Sequence, residues 1–333
     1  MNKQENKKIG IIGGGSWATA LAKLISGNVD HFNWYIYEQE IIDHLRKHKH
    51  NPTYISSIEF DPNKITFFSN VKEAIESSDI ILFVVPSIYV KSLIGTTDID
   101  FKDRFFINAA KGIVPEDNVT VTQYFQEQFS IPYSHVGVIS GPCHAEEIAM
   151  ERLSYLTIAT EFEQDTQMIS SFIASPFIHT ILSDDIYGIE FGSILKNVYA
   201  LGSGICHGLG YGDNFLAVYV SNAIREMERF LAKVFERERH LFHSVYLGDL
   251  LVTSYSQFSR NRTFGNMIGK GYTAKSAMLE MNMIAEGYFA SKCIYEINNK
   301  YHVKMPIADS VYRILYEKIA PAIEIKLLSE KLK

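Results

Sequence analysis

The stretch Lys8-Ile-Gly-Ile-Ile-Gly-Gly-Gly-Ser-Trp-Ala-Thr-Ala-Leu-Ala22 constrains the fold more than any other part of the chain. Ile9, Ile11 and Ile12 are β-branched and apolar, as a short buried strand requires. Gly13 and Gly15 allow a tight turn and close approach of a ligand to the backbone, and the small Ala18 suits tight packing of a following helix on the strand. The spacing Gly13-x-Gly15-x-x-Ala18 is a dinucleotide fingerprint. Backbone N–H groups at a helix start from Ser16 onward, with the positive dipole end behind them, would face a pyrophosphate. An ordinary glycine turn has similar letters, so the context decides. A second strand is expected at Asn33-Trp-Tyr-Ile-Tyr37, and Glu38 follows it about twenty residues beyond the glycines, where a carboxylate meets adenosine ribose hydroxyls.

The pattern repeats downstream. Ile41 to His50 reads as a helix closed by Asn51-Pro52, and Ile65 to Phe68 as a third strand. A helix over Lys72 to Asp79 leads into Ile80 to Val85, whose unbroken apolar run marks a parallel strand covered on both faces. Pro86 and Ser87 follow at once, beyond a strand's carboxyl end, where ligands of open parallel sheets bind. Phe105 to Ala109 runs into Ala110-Lys111-Gly112 in the same manner. Val136 to Ile139 leads to Ser140-Gly-Pro-Cys-His-Ala-Glu-Glu147, a turn opening onto a helix, and Tyr155 to Thr160 and Phe177 to Leu182 read as late strands. From Asp185 onward the patterns are helical. The expected architecture is therefore a Rossmann-type, doubly wound, mainly parallel α/β domain over residues 1–184, followed by an all-α domain over 185–333.

With 333 residues, 47% of them hydrophobic, the chain can bury the cores of two domains. The formal charge of -6 carries no basic block, so nothing points to nucleic acid. Cys143, Cys206 and Cys293 are far apart and odd in number, which argues against a disulfide framework or a zinc cluster and fits a reducing cytoplasm. The polar start, Met1 to Lys8, is followed by too few apolar residues for a secretory signal, and no apolar run reaches membrane-spanning length. No metal site is expected.

Four stretches can carry chemistry. Lys111 follows a strand. Lys196 and Asn197 lie in a helical segment where Ile194, Leu195, Val198 and Tyr199 enclose the lysine at least partly, although a lysine in a helix is more often solvated. Asp249 stands in Leu247-Gly-Asp-Leu250, where a turn or cap is the plainer role. Ser259, Arg260 and Asn261 offer hydroxyl, guanidinium and amide donors in succession, a set suited to a phosphate monoester. Gly202-Ser-Gly-Ile-Cys-His-Gly-Leu-Gly-Tyr-Gly212 carries five glycines in eleven residues, which helices tolerate only where a backbone or ligand comes close. It reads as a packing or active-site segment.

Together these motifs resemble the bacterial form of the NAD(P)-dependent glycerol-3-phosphate dehydrogenase family over nearly the whole chain. The matching stretches, in order, are Gly13 to Ala22, Val84-Val-Pro-Ser87, Ala110-Lys-Gly-Ile113, Ser140-Gly-Pro with Ala145-Glu-Glu147, Leu195-Lys-Asn-Val198, Leu247 to Leu250, Ser259-Arg-Asn-Arg262 and Ala285-Glu-Gly-Tyr288. The resemblance implies reversible hydride transfer between NAD(P)H and dihydroxyacetone phosphate, giving sn-glycerol 3-phosphate for phospholipid synthesis, in a cytoplasmic homodimer without nucleic-acid or membrane partners. It implies that Lys196 is the catalytic lysine, that Lys111 touches cofactor and substrate, and that Asp249 is a substrate-site carboxylate. Gly141, Cys143, Asn197, Ser259, Arg260 and Asn261 match substrate positions. Ser16, Trp17, Ala145, Ile284 and Glu286 match cofactor contacts, and Arg260 lies near the cofactor too; Gly13, Gly15, Glu38 and Pro86 join them by position. Three departures stand out. Cys143 replaces the usual Ser or Thr, Val245-Tyr246 replaces Ala-Gly, and Glu38-Gln39 replaces a small residue followed by Arg. A carboxylate at position 38 favours NAD over NADP. Other two-domain dehydrogenases, of the β-hydroxyacid or 6-phosphogluconate type, share the plan, and a non-catalytic dinucleotide sensor could keep the glycine turn. The substrate motifs are what exclude both.

Overall fold

The computed structural model describes residues 7–95, 98–281 and 284–333; the polar start through Asn6 lies outside them. The chain divides into two compact units, one comprising residues 1–110 and 121–186 and the other 111–120 and 187–333.

The first unit is built on eight strands: β1 Ile9–Ile12, β2 Phe32–Tyr35, β3 Ile65–Phe68, β4 Ile80–Phe83, β5 Phe105–Asn108, β8 Val136–Ser140, β9 Ser154–Thr160 and β10 Ile178–Ser183. The second unit takes in the short pair β6 Ile113–Val114 and β7 Val119–Thr120. The large sheet has the order β10-β9-β8-β5-β4-β1-β2-β3. From β3 to β8 all neighbours are parallel and follow the doubly wound order 3-2-1-4-5-6, while β9 pairs antiparallel with β8. Helices α1 Ser16–Ser26, α2 Gln39–His48, α3 Val71–Glu76, α4 Val90–Ile94, α5 Val121–Phe129, α6 Ala145–Ala149 and α7 Glu163–Ile173 connect the strands. Every residue of β1, β2, β4 and β5 is buried, which is why these runs lack the alternation of a half-exposed strand.

The expected elements exist, but β5 stops one residue early, at Asn108, and two strands stop two residues early. β2 stops at Tyr35 rather than Tyr37, and β4 at Phe83 rather than Val85. In both places the chain keeps apolar character past the end of the strand: Ile36, Val84 and Val85 are buried, and Ile36 N and Val84 N still donate to Phe68 O and Ile12 O on the neighbouring strands. Helix α2 runs from Gln39 to His48, two residues ahead of the expected span, because Lys49 adopts the left-handed conformation and closes it.

The second unit contains α8 Ile186–Gly208, α9 Asp213–Val234, α10 Asp249–Tyr255, α11 Arg260–Gly269, α12 Ala274–Glu280, α13 Glu286–Tyr301, α14 Pro306–Leu315 and α15 Pro321–Ser329. The glycine-rich segment proves to be the end of α8, used for packing. A Cβ on Gly204 would lie 2.1 Å from the carbonyl oxygen of Arg262, and one on Gly208 2.4 Å from that of Asn266. The relation is reciprocal, for a Cβ on Gly265 would lie 1.9 Å from Leu201 O and one on Gly269 2.4 Å from Ile205 O. Glycines four apart share a helix face, so α8 and α11 meet backbone to backbone. On α13, a Cβ on Gly287 would lie 2.5 Å from Asn197 O. These contacts hold α8, α11 and the start of α13 together at the residues expected to carry function. Gly210 ends α8 at positive φ, with Tyr211 N donating to Cys206 O.

Candidate active site

Each expected residue of the first unit stands just past the carboxyl end of a strand, in the loop that follows it or at the start of the next helix. Gly13, directly after β1, has φ +134°, and a Cβ there would meet Val84 O at 3.2 Å. The glycine carbonyls are all engaged on the protein side. Gly13 O accepts from Trp34 Nε1 (2.8 Å), Gly14 O from Asn51 Nδ2 (3.1 Å), and Gly15 O from Thr19 N (2.9 Å) and Thr19 Oγ1 (3.0 Å). Trp34 is itself fully buried, edge-on to Phe60 and stacked with Phe67. With its acceptors tied down, the loop is set by Gly15, which caps α1 with no side chain and whose Cβ position has no atom within 4 Å. An uncapped N-terminus of an eleven-residue helix, beside clear space, fits a pyrophosphate. Asn51 and Trp34 were not legible as loop supports; each is distant in sequence and reaches the loop only through the fold.

Ser16 and Trp17 open α1, and Ala145 opens α6. Glu38 is exposed and caps α2, its carbonyl accepting from Ile41 N and Ile42 N, three residues past the carboxyl end of β2. Pro86 begins a short helical turn after β4. Gly141, at φ +141°, and Cys143 both lie against β9: a Cβ on Gly141 would sit 2.6 Å from Tyr155 O, and Cys143 Sγ donates to the same oxygen at 3.1 Å.

The second unit assembles a buried polar cluster. Lys196 on α8 is 5% exposed and Asp249, the first residue of α10, 1%. Lys196 Nζ donates to Asp249 Oδ1 at 2.5 Å and to Thr253 Oγ1 at 3.1 Å. Thr253 in turn donates to Asp249 O at 2.6 Å. Lys111 Nζ stands 3.8 Å from Asp249 Oδ2, and Asn197 Nδ2 donates to Lys111 O at 2.9 Å. Burial pulls the Lys196 ammonium down to about 7, Lys111 adds to the lowering, and the Asp249 carboxylate opposes it. Thr253 escaped the sequence reading. Its spacing of four from Asp249 on one helix was the available signal.

Asp249 is delivered by a five-residue π turn, Ser244–Gly248, in which Val245 and Tyr246 are buried. A Cβ on Gly192 would come within 2.9 Å of the Tyr246 ring. The large side chain at this unusual position is thus accommodated by a glycine one turn before Lys196.

Ser259 and Asn261 have structural duties as well. Ser259 Oγ caps α11 by accepting from Arg262 N at 3.3 Å, and Asn261 Oδ1 accepts from Gly287 N at 2.8 Å. The hydroxyl proton of Ser259 and the NH2 group of Asn261 remain as donors for a ligand. Arg260, the first residue of α11, is half-buried. Ile284 and Glu286 flank the start of α13.

A doubly wound sheet with an uncapped glycine loop, in one chain with a buried lysine, carboxylate and hydroxyl cluster, defines a dinucleotide-dependent oxidoreductase. The particular family is given by comparison. Residues 8–166 match the NAD-dependent glycerol-3-phosphate dehydrogenase N-terminus and residues 185–326 the C-terminus of the same family. The chain belongs to the NAD-dependent glycerol-3-phosphate dehydrogenase family. It is 32% identical over 327 residues to a glycerol-3-phosphate dehydrogenase [NAD(P)+] of Clostridium botulinum (strain Eklund 17B / Type B), covering 97% of this chain and 98% of that one. It is 34% identical over 312 residues to a second such protein, of Lactobacillus delbrueckii subsp. bulgaricus, covering 91% of each. The crystal structure of glycerol-3-phosphate dehydrogenase from Coxiella burnetii superposes with a TM-score of 0.88 at 26% identity, covering 98% of this chain and 99% of that one. Among the described residues no helix is long and apolar enough to cross a membrane.

Proposed function

We propose that the protein is a glycerol-3-phosphate dehydrogenase, reducing dihydroxyacetone phosphate to sn-glycerol 3-phosphate with NAD(P)H and catalysing the reverse oxidation. The observation that carries this reading is the buried Lys196–Asp249–Thr253 cluster with Lys111 beside it, in a chain of this family. The bound nicotinamide cofactor supplies the hydride in one direction and takes it in the other. Lys196 moves the proton. In reduction its ammonium donates to the oxygen that was the ketone carbonyl, and in oxidation its neutral amine accepts the hydroxyl proton. Protonated, it has three N–H groups, of which Asp249 and Thr253 orient two and leave one for that oxygen. Lys111 and Lys196 around one carboxylate leave a net positive site, suited to the negative charge that develops on the carbonyl oxygen.

The α/β unit is assigned the dinucleotide through Gly13, Gly15, Ser16, Trp17, Glu38, Pro86 and Ala145, with Lys111, Arg260, Ile284 and Glu286 as further contacts. Substrate binding is assigned to Gly141, Cys143, Asn197, Ser259, Arg260 and Asn261, with Arg260 gripping the phosphate by a planar, permanently charged fork. Residues 1–184 and 185–333 thus form a cofactor domain and a substrate domain, with 111–120 serving the latter. The exposed Glu38 carboxylate favours NAD over NADP. We place the enzyme in the cytoplasm as a homodimer that supplies glycerol 3-phosphate to phospholipid synthesis. Following NADH consumption with dihydroxyacetone phosphate tests the activity. No consumption above that with unphosphorylated dihydroxyacetone would refute it, and light scattering of the purified chain tests the dimer.

A further inference from the structure

Lys111 belongs to a ten-residue strap, 111–120, that leaves the α/β unit, joins the helical unit and returns. Its two ends are tied to the same helix. At the start, Lys111 O accepts from Asn197 Nδ2 on α8. At the far end, Thr120 Oγ1 donates to Glu190 Oε2, also on α8, at 2.7 Å. Glu190 and Asn197 are seven residues apart, two helical turns or about 10 Å, and therefore share one face. Between the ties the strap folds on itself, with Ile113 paired to Thr120 and Val114 to Val119. A displacement of Thr120 thus passes through one ladder step to Ile113, two residues from Lys111. Asn118 Nδ2 adds a third tie, to Glu296 Oε2 on α13 at 2.8 Å.

The chemistry of the far tie is unusual for a contact that only adds stability. Thr120 and Glu190 are both 0% exposed. Burying a carboxylate is costly unless donors satisfy it, and an apolar pair of similar volume would serve stability as well or better. What the short hydrogen bond from Thr120 adds is register. One position along α8 is selected, and the strap cannot slide by a residue.

We propose that Thr120 and Glu190 are positioning residues for proton transfer: their hydrogen bond clamps the hairpin to α8 and so sets where the Lys111 ammonium stands relative to Asp249 and Lys196. The inference rests on the reading of Lys196 as the acid and base. Slackening the clamp withdraws the Lys111 charge and lets water reach the cluster. Both effects favour the charged form of Lys196, so both move its titration upward.

The test is the pH profile of kcat/KM for sn-glycerol 3-phosphate oxidation, which needs the neutral amine. Thr120→Val keeps the volume and removes the donor. The inflection should move up by about 0.5–1 pH unit, with kcat/KM at pH 7 falling about two- to fivefold. Thr120→Ser, which restores the hydroxyl, should return the wild-type profile. In a Lys111→Met background Thr120→Val should move the inflection by clearly less than in the wild type, because the part carried by the Lys111 charge is already gone and coupled residues are not additive. An unmoved profile in Thr120→Val, or an equal shift with and without Lys111, would overturn the proposal. Should Thr120→Val not fold, Glu190→Gln, which keeps the shape of the acceptor and removes its charge, weakens the same hydrogen bond and is read in the same way. An active wild type with an unmoved profile strikes only the clamp, whereas an inactive wild type strikes the proposed activity.

Discussion

Replacing Lys196 with Met isolates the proton-transfer group from the rest of the site. The side chain is 5% exposed, between Leu195 and Asn197 on α8, so an unbranched residue of similar length fills the space. What remains is Asp249, 1% exposed, with Thr253 beside it and Lys111 Nζ 3.8 Å away. Breaking a buried ion pair costs about 3–5 kcal/mol when the remaining charge has no partner. The nearby Lys111 keeps the cost below that range, and folded protein should be recovered. The kinetic effect is larger. An ordinary lysine at pH 7.5 is neutral in about one molecule in a thousand, whereas one pulled down to about 7 is neutral in roughly three quarters. The wild type should therefore oxidise sn-glycerol 3-phosphate with kcat/KM rising through an inflection near 7, and Lys196→Met should lose that inflection together with about 100- to 10,000-fold in kcat. The assay is NADH absorbance in both directions over pH 5.5–9.5, roughly two units either side of the inflection, with circular dichroism to establish folding. A folded variant that kept more than about a tenth of wild-type kcat, or kept the inflection, would refute the assignment and move the role to Lys111.

Gly265→Ala adds a methyl group 1.9 Å from Leu201 O, so helix propensity gained at that position is outweighed by separation of α8 from α11; stability should fall by about 1–3 kcal/mol or more, and a thermal midpoint equal to wild type would contradict the packing. Arg260→Lys keeps the charge and loses the planar fork, so KM for dihydroxyacetone phosphate should rise sharply with some loss of kcat, because phosphate binding helps position the carbonyl; an unchanged KM in Arg260→Ala would remove Arg260 from the phosphate site. Glu38 should give NADH a kcat/KM about tenfold above that of NADPH: unit charges about 4 Å apart at an effective dielectric near 20 repel by about 4 kcal/mol, and a third of that suffices. Equal values would mean that the carboxylate does not face the ribose.

Local chemistry and periodicity made much of this protein readable in one dimension. Unbroken β-branched runs marked the buried parallel strands, the Gly13-x-Gly15-x-x-Ala18 spacing marked the turn at the end of β1, and the change to helical spacing near residue 185 marked the second unit. Such signals lie within one element and are set by backbone geometry, so neighbours in sequence suffice to define them. The same reading placed Lys196, Lys111 and Asp249 on a short list, yet as three separate stretches. Only the tertiary structure put both ammonium groups within 4 Å of the Asp249 carboxylate, added Thr253, and turned a lysine that helical statistics would leave solvated into a buried group near neutrality. It likewise decided that the glycines of α8 serve contact with α11, that Trp34 and Asn51 hold the glycine loop after β1, and that the strap 111–120 belongs with the helices. The physical reason is common to all of these. Burial, charge coupling and backbone contact depend on distances through space between residues tens to hundreds of positions apart, and packing sets those distances.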